Sequence, residues 1–380
     1  MDAALDRANT DPRDAFRAAG RLVVKVGSSL LVTREGEVRR DWLATLVADV
    51  ADLARSGRQP IIVSSGAIAL GARRLGLRQG GRASLEDAQA AAAVGQILLA
   101  GLWAELLAAH ELKAAQMLVT LDDFEDRRRW LNASATLDRL VQLSAVPVLN
   151  ENDSVATEEI RFGDNDRLAA RVAQAAQAQA VLLLSDVDGL YTADPAAVRD
   201  ARHLPLVTDI ADVAGLADGR SASGMGSGGM AAKVEAARIA WAAGITLAIA
   251  SGHGAHPLAR FLGGGPATLF AAPGGARARK AWLAGRMAVA GRIEVDSGAE
   301  AALRAGRSLL AAGIRATSGD FQRGDAVDVA GPSGLVARGL VGYSAAEVAR
   351  IRGRRSEELE AILGYAPRSA VIHRDQMVML

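Results

Sequence analysis

The feature that most constrains this chain is an alternation: short runs that are apolar throughout, each ending at a glycine or a polar turn, separated by stretches with helical periodicity. Residues 21–26 form a β-branched run that stops at Gly27, and a helical pattern follows over residues 41–56. Residues 60–64 break at Ser65-Gly66, and 113–120 follow a long alanine-rich helical stretch over 88–109. Residues 145–150 follow a helical pattern over 131–143, and 180–185 and 246–250 complete the set. Runs without polar alternation belong to strands covered on both faces, and each parallel crossover places a helix on one face. The expectation is an α/β domain, a mainly parallel sheet sandwiched by helices.

After Ser251 the texture changes, with Gly and Pro at 263–266 and 273–275. The expected organisation is a polar N-terminal extension at 1–19, the α/β domain at 20–265, a linker at 266–281, and a small, mainly β domain at 282–380. In that last segment the strands are expected at 291–295, 314–318, 326–330, 335–343 and 369–372, with helices at 299–311 and 345–350. A chain of 380 residues has room for two or three domains, and 50% hydrophobic against 23% charged residues excludes a disordered protein.

The net charge of +1 announces no nucleic acid, anionic membrane or acidic partner for the chain as a whole. Residues 277–380 hold 16 basic against 11 acidic residues, a local excess of +5. No cysteine is present, which removes disulfides and thiolate chemistry and fits a reducing cytoplasm. The N-terminus lacks the apolar run of a secretory signal. The stretch 88–109 is interrupted by Gln89, Gln96 and Glu105, so a buried helix rather than a membrane span is expected.

Only Lys25, Lys113, Lys233 and Lys280 are lysines among 44 basic residues. Lys25 ends a strand just before Gly27-Ser28-Ser29, and Lys233 opens a helix after Gly224-Met-Gly-Ser-Gly-Gly-Met230. A compact ammonium beside glycines that bring backbone N–H groups onto an anion is a phosphate grip. A surface loop is the competing reading of the glycine run. Asn150-Glu-Asn-Asp-Ser154 and Gly163-Asp-Asn-Asp-Arg167 gather three of the five asparagines with carboxylates at a strand end. Such a place suits a zwitterionic ligand, with Asp153 holding an ammonium and Asp166 orienting lysines or approaching a metal; turn and cap chemistry would use the same residues. Ser185-Asp-Val-Asp-Gly-Leu-Tyr-Thr-Ala-Asp-Pro195 follows a strand and could hold a base and ribose, or be an ordinary loop. His253 and His256 read as a loop pair, and no protein metal site is expected.

In order, Val23-Val-Lys-Val-Gly-Ser-Ser29, Val63-Ser-Ser-Gly-Ala-Ile68, Val148-Leu-Asn-Glu-Asn-Asp153, Gly163-Asp-Asn-Asp166, Ser185 to Pro195 and Gly226-Ser-Gly-Gly-Met-Ala-Ala-Lys233 resemble the amino-acid kinase family. The stretch Gly291-Arg-Ile-Glu-Val-Asp-Ser-Gly-Ala-Glu300 with Gly306-Arg-Ser-Leu-Leu310 resembles a PUA domain. The resemblance implies ATP-dependent phosphorylation of the L-glutamate γ-carboxylate to γ-glutamyl phosphate, the first step towards proline, with Mg²⁺ accompanying ATP. It implies Lys25, Lys233 and Asp166 as catalytic residues, and Ser65, Asp153 and Asn165 as the glutamate site. Lys25, Ser185, Asp186, Ser227, Gly228, Gly229, Met230, Ala231, Ala232 and Lys233 would hold ATP. It further implies proline as a feedback inhibitor and a homo-oligomer.

Two residues depart from the family pattern: Ala232 and Ser185 each stand where threonine is usual. One alternative is another amino-acid kinase acting on a different carboxylate or phosphate. A second, of another class, is an RNA-binding PUA protein whose kinase-like domain is a scaffold.

Overall fold

A computed structural model describes residues 11–33, 35–155, 165–213, 215–216, 229–272, 289–365, 368 and 370–380. The chain divides into two compact units: Met1–Phe124 with Ala133–Gly275, and Glu125–Asn132 with Ala276–Leu380.

In the first unit the apolar runs become strands β1 (Arg21–Val26), β2 (Gln59–Ser64), β3 (Lys113–Val119), β4 (Ala145–Glu151), β5 (Ala180–Ser185) and β9 (Thr246–Ser251). Between β5 and β9 lie three two-residue strands, β6 (Leu190–Tyr191), β7 (His203–Leu204) and β8 (Leu206–Val207), and after β9 comes β10 (Ala267–Phe270). The sheet order is β3-β4-β2-β1-β5-β9-β10-β8, parallel from β3 to β9, with β10 antiparallel to β9 and parallel to β8. The sheet is therefore mixed at one side. Every residue of β5, and Leu22 to Val26 of β1, is buried, which is why these runs carry no alternation.

The helices along this part of the chain include α1 (Arg40–Arg55), α2 (Ala67–Leu75), α3 (Leu85–Ala108), α4 (Arg127–Gln142), α5 (Asn165–Ala175), α6 (Met230–Ala242) and α7 (Pro257–Leu262). From β1 the chain runs to β2 on one side, and β5 and β9 lie on the other. The carboxyl ends of β1 and β5 thus flank the point where the strand order reverses, the place where open α/β sheets form their binding crevice.

Three local expectations are corrected. Within the stretch expected to be a polar extension, Phe16 is fully buried and packs edge-on against Phe261 at 4.9 Å, since a single aromatic ring suffices to dock a polar segment. Within the expected connection, Ala267–Phe270 form β10, whose hydrogen bonds to β9 outweigh the flanking glycines. Helix α3 is long and apolar enough to span a membrane, yet it is buried on one side only. Ala91, Gly95, Leu99 and Trp103 face inward, while Ile97 is 75% exposed.

In the second unit β11 (Val289–Val295), β12 (Ile314–Gly319), β13 (Ala326–Gly331), β14 (Gly334–Leu340) and β15 (Met377–Met379) form a sheet of order β12-β11-β13-β14-β15. With helices α8 (Ser297–Arg304) and α9 (Ala345–Ile351) they enclose a core around Ile293, Phe321, Val327, Val336, Tyr343 and Val348. Ser344 and Glu347 form a capping box at the start of α9. The expected helix 299–311 stops at Arg304, where Gly306 takes a left-handed φ of +78°. The last strand is Met377–Met379 rather than 369–372; there, Ile372 makes only an isolated bridge to Leu309.

Helices α2 and α3 cross where two glycines meet. A Cβ on Gly71 would sit 1.8 Å from the Ala91 carbonyl oxygen, and one on Gly95 would sit 1.7 Å from that of Ala67. Backbone cannot swing aside as a side chain can, so Gly95→Ala is expected to destabilise by about 3 kcal/mol and to lower Tm by several degrees. Gly101→Ala on the same helix, with nothing within 4 Å, is the control and should not lower Tm. Equal Tm values for Gly95→Ala and wild type would show that the helices do not meet this way.

Candidate active site

Lys25 is the fifth residue of β1, and its ammonium lies 2.6 Å from Asp166 Oδ1. Lys233, in the first turn of α6, donates from Nζ to Asp166 Oδ2 at 2.9 Å. All three are buried, at 7%, 5% and 1% exposure for Lys25, Lys233 and Asp166. Burial by itself pushes the Asp166 carboxyl up, but the two ammonium groups outweigh it and hold the group at about 2. Asp166 sits in the first turn of α5, where the helix dipole favours a negative charge. Lys233 sits against the dipole of its own helix, and the Asp166 carboxylate offsets that cost. The two helices are tied lower down by Gln174 Nε2, which donates to Ile239 O at 2.9 Å.

Beside this triad, Asn165 Nδ2 donates to Ser65 Oγ at 2.8 Å and to Asn150 Oδ1 at 3.1 Å. Ser65 is brought there by its N–H, which donates to Val26 O at the end of β1, and by Gly66, whose φ of +115° turns the chain into α2. Asn165 Oδ1 is buried without a hydrogen-bond partner among the described residues, an acceptor facing a place where a donor fits. Asn150 Nδ2 donates in turn to Gln96 Oε1 at 2.8 Å.

Gln96 lines a cavity of about 270 Å³ together with Gln116, Glu151, Asn152, Asp153 and Ser154. Burial raises the Asp153 carboxyl to about 6, against the opposing charge of Arg82. Asp153 makes no direct hydrogen bond to Asn165 or Ser65; Gln96 and Asn150 connect the two places. The sequence singled out Asn150 only as part of a cluster and passed over Gln96. Its signal was there: Gln89 and Gln96 interrupt an alanine-rich run seven residues apart, on one face of a helix.

On the other side of the triad, Ser185 ends β5 and donates from Oγ to Asp186 Oδ1 at 3.0 Å, and Asp186 is exposed. Gly229 is the N-cap of α6, and Met230, Ala231, Ala232 and Lys233 form its first turn. Ser227 and Gly228, like Gly163 and Asp164, lie outside the described residues. His256 Nδ1 lies 2.7 Å from Asp49 on α1, away from these groups in the chain. Among the described residues no group of three acidic or histidine side chains gathers to hold a metal. The arrangement offers two cations and a helix N-terminus to an anion, and amide and carboxylate groups to a polar partner next to it.

The sequence profile of the amino acid kinase family matches residues 20–251, and that of the PUA domain matches residues 291–363. A glutamate 5-kinase of Novosphingobium aromaticivorans is 61% identical over 95% of this chain and 96% of its own length. One from Sphingopyxis alaskensis is 62% identical over 95% of this chain and 97% of its own. One from Zymomonas mobilis subsp. mobilis is 58% identical over 95% and 91%, respectively.

Asp166→Asn removes the carboxylate charge that two buried ammonium groups share and is expected to destabilise the fold by about 3–5 kcal/mol at neutral pH. A carboxyl held at about 2 rather than 3.8 contributes fully above 3.8 and loses that contribution only as pH falls towards 2. Urea unfolding at neutral pH and again near pH 5 should therefore show the same deficit. A deficit below about 1 kcal/mol, the range of exposed pairs, would mean that the ions are not buried together.

Proposed function

The chain belongs to the amino acid kinase family, and from its near-full-length likeness to glutamate 5-kinases we infer how its own residues serve that activity. It transfers phosphate from ATP to the γ-carboxylate of L-glutamate, giving γ-glutamyl phosphate in the first step of proline biosynthesis. The observation that carries the assignment of roles is the buried Lys25–Asp166–Lys233 triad beside the reversal of strand order.

A carboxylate is already a nucleophile at neutral pH, so no general base is needed. What the reaction needs is alignment and neutralisation of charge on the transferring phosphoryl group. Lys25 and Lys233 supply the neutralising charge, and Asp166 acts through them, holding two ammonium groups close enough to share one phosphoryl group. Mg²⁺ enters as the counter-ion of the ATP phosphates and is part of that substrate. The N-terminus of α6, from Gly229 to Lys233, takes the phosphate chain, and Ser185 with Asp186 takes the nucleoside side. Ser65, Asn165 and Asp153 hold glutamate, with the unpartnered Asn165 Oδ1 and the Asp153 carboxylate as acceptors for its ammonium.

Proline carries the same α-carboxylate and a cationic amine but no γ-carboxylate, so it occupies the Asp153 side unproductively and competes with glutamate. The outer side of α3, apolar between Glu86 and Glu105, and the neighbouring edge strand β3, with Ile97, Leu98 and Leu118 exposed at 75%, 43% and 41%, favour a second copy of this chain as the partner in a homo-oligomer. A cytoplasmic location belongs to the same reading, since free ATP and glutamate are both cytoplasmic. An RNA-binding role for the C-terminal domain rests on its PUA match and its local charge, and no observation favours it over the kinase.

The direct test incubates the protein with ATP, Mg²⁺, hydroxylamine and one acid at a time, trapping any acyl phosphate as a hydroxamate. Glutamate should give the signal; a signal with aspartate and none with glutamate would overturn the assignment. Lys25→Ala and Lys233→Ala should each remain folded and lower kcat on the order of 10²-fold or more, and near-wild-type turnover in either would remove that lysine from the mechanism.

Asp153 yields a pH signature. With its carboxyl at about 6, the ionised form that binds an ammonium is lost as pH falls through that value. The KM for glutamate should accordingly rise below about pH 6 while that for ATP does not follow it. Asp153→Asn should raise the glutamate KM at all pH values, abolish the inflection and weaken proline inhibition in parallel. Steady-state kinetics with proline at several glutamate concentrations checks this; equal increases in both KM values, or unchanged noncompetitive proline inhibition, would separate Asp153 from the substrate site.

A further inference from the structure

The loop that follows β5 is fastened by a residue outside every motif described above. Thr268, on β10, is fully buried, and its hydroxyl makes two short hydrogen bonds, Oγ1 accepting from Leu190 N at 2.7 Å and donating to Leu204 O at 2.6 Å, with His203 Nε2 a long 3.5 Å away. Leu190 and Leu204 are partners across the β6–β7 hairpin, so one side-chain oxygen engages both arms of it. The single hydroxyl proton is committed to Leu204 and a lone pair to Leu190.

The chain is shaped to this contact. A Cβ on Gly189 would lie 2.5 Å from Thr268 Oγ1 and 2.4 Å from His203 Nε2, so the segment can pass the hydroxyl only without a side chain. Thr268 itself is fixed by the sheet, opposite Ile249 of β9, and the next residue, Leu269, pairs with Leu206 of β8. The root of the same loop has a separate fastening. Gly252 N donates to Ser185 O at 2.7 Å, while Gly252 O accepts from Trp42 Nε1 at 2.7 Å. Asp186, Val187, Asp188 and Gly189 therefore span between two fixed points, Ser185 at the root and the Thr268 hydroxyl at the far end.

We propose that Thr268 is a positioning residue for ATP: its buried hydroxyl sets the path of residues 186–190 and thereby the nucleoside side of the site, without touching the nucleotide. This rests on the reading that Ser185 and Asp186 hold the nucleotide. The physical ground is that valine, the same shape without the hydroxyl, strands the buried Leu190 N–H and takes its donor from the part-buried Leu204 C=O. The hairpin must then shift to satisfy them elsewhere. Glutamate is unaffected in this account, because Ser65, Asn165 and Asp153 stand on other elements.

Steady-state kinetics of the full chain with Thr268→Val, Thr268→Ser and Asp186→Asn tests the proposal. Thr268→Val should raise the KM for ATP roughly tenfold or more while that for glutamate stays within about twofold. Thr268→Ser, which keeps the hydroxyl, should return the KM for ATP to within about threefold of wild type. If Thr268→Val does not fold, Thr268→Cys, a much weaker donor and acceptor in the same space, must show the same ATP-specific rise.

Equal increases in both KM values would make Thr268 merely structural, and serine no better than valine would remove the hydroxyl from the account; either result overturns the proposal. An unchanged KM for ATP in Thr268→Val, with a raised one in Asp186→Asn, overturns the anchor alone. If neither variant changes the KM for ATP, the loop does not hold the nucleotide and both readings fall.

Discussion

One carboxylate between two ammonium groups, all three withdrawn from water, is the interaction on which the rest of the site depends. Asp166 can offset only one of the two charges it contacts, so the triad carries a net positive charge at 1–7% exposure. Burying ions costs several kcal/mol each unless partners compensate, and Lys233 in the first turn of α6 is further disfavoured by its own helix dipole. On the proposed assignment, the two ammonium groups gathered on one carboxylate stand where the phosphoryl group would pass, and such a fixed charge arrangement is what preorganisation for phosphoryl transfer requires.

Parallel topology makes this assembly possible. Lys25 stands one residue before the end of one strand, Asn165 and Asp166 begin one helix and Lys233 lies in the first turn of another, so residues more than two hundred positions apart converge at one edge. In such a sheet every strand delivers its carboxyl end, and every following helix its N-terminus, to the same side. The glycine crossing of α2 and α3 extends that order sideways. It brings Gln96 to Asn150 and so connects the amide groups around Asn165 to the cavity that holds Asp153.

What could be read in the sequence follows from this physics. The strands were legible because burial on both faces leaves an apolar run without alternation, and Lys25 and Lys233 stood out because lysine is rare against arginine. Asp166 was legible as one of a motif, though nothing local showed that its partners lie in β1 and α6. Other features had no local signature. Gln96 is a polar residue in an alanine-rich helix until its partner, 54 residues away, is known. Phe16 looked like part of a polar extension, because docking is decided by Phe261 and not by its neighbours. Strand β10 was hidden by glycines, and Thr268 within it acquires meaning only from Leu190, 78 residues away. Long-range choice of partner, rather than weak propensity, accounts for each of these.

The two departures from the family pattern can be weighed in the same terms. At Ser185 a hydroxyl is retained, and it is engaged with Asp186 at 3.0 Å, so the missing methyl removes packing but no polar function. At Ala232 the hydroxyl itself is gone. That position lies in the first turn of α6, where its own N–H donates to Gly229 O at 3.0 Å and the adjacent Lys233 keeps its bond to Asp166. A neutral hydroxyl donor contributes about half of what a charged donor does to an anion. The α6 end still offers its dipole and an ammonium, so the loss falls on a minor contributor. On the proposed roles, charge and the carboxylate that positions it outweigh a hydroxyl at the helix end.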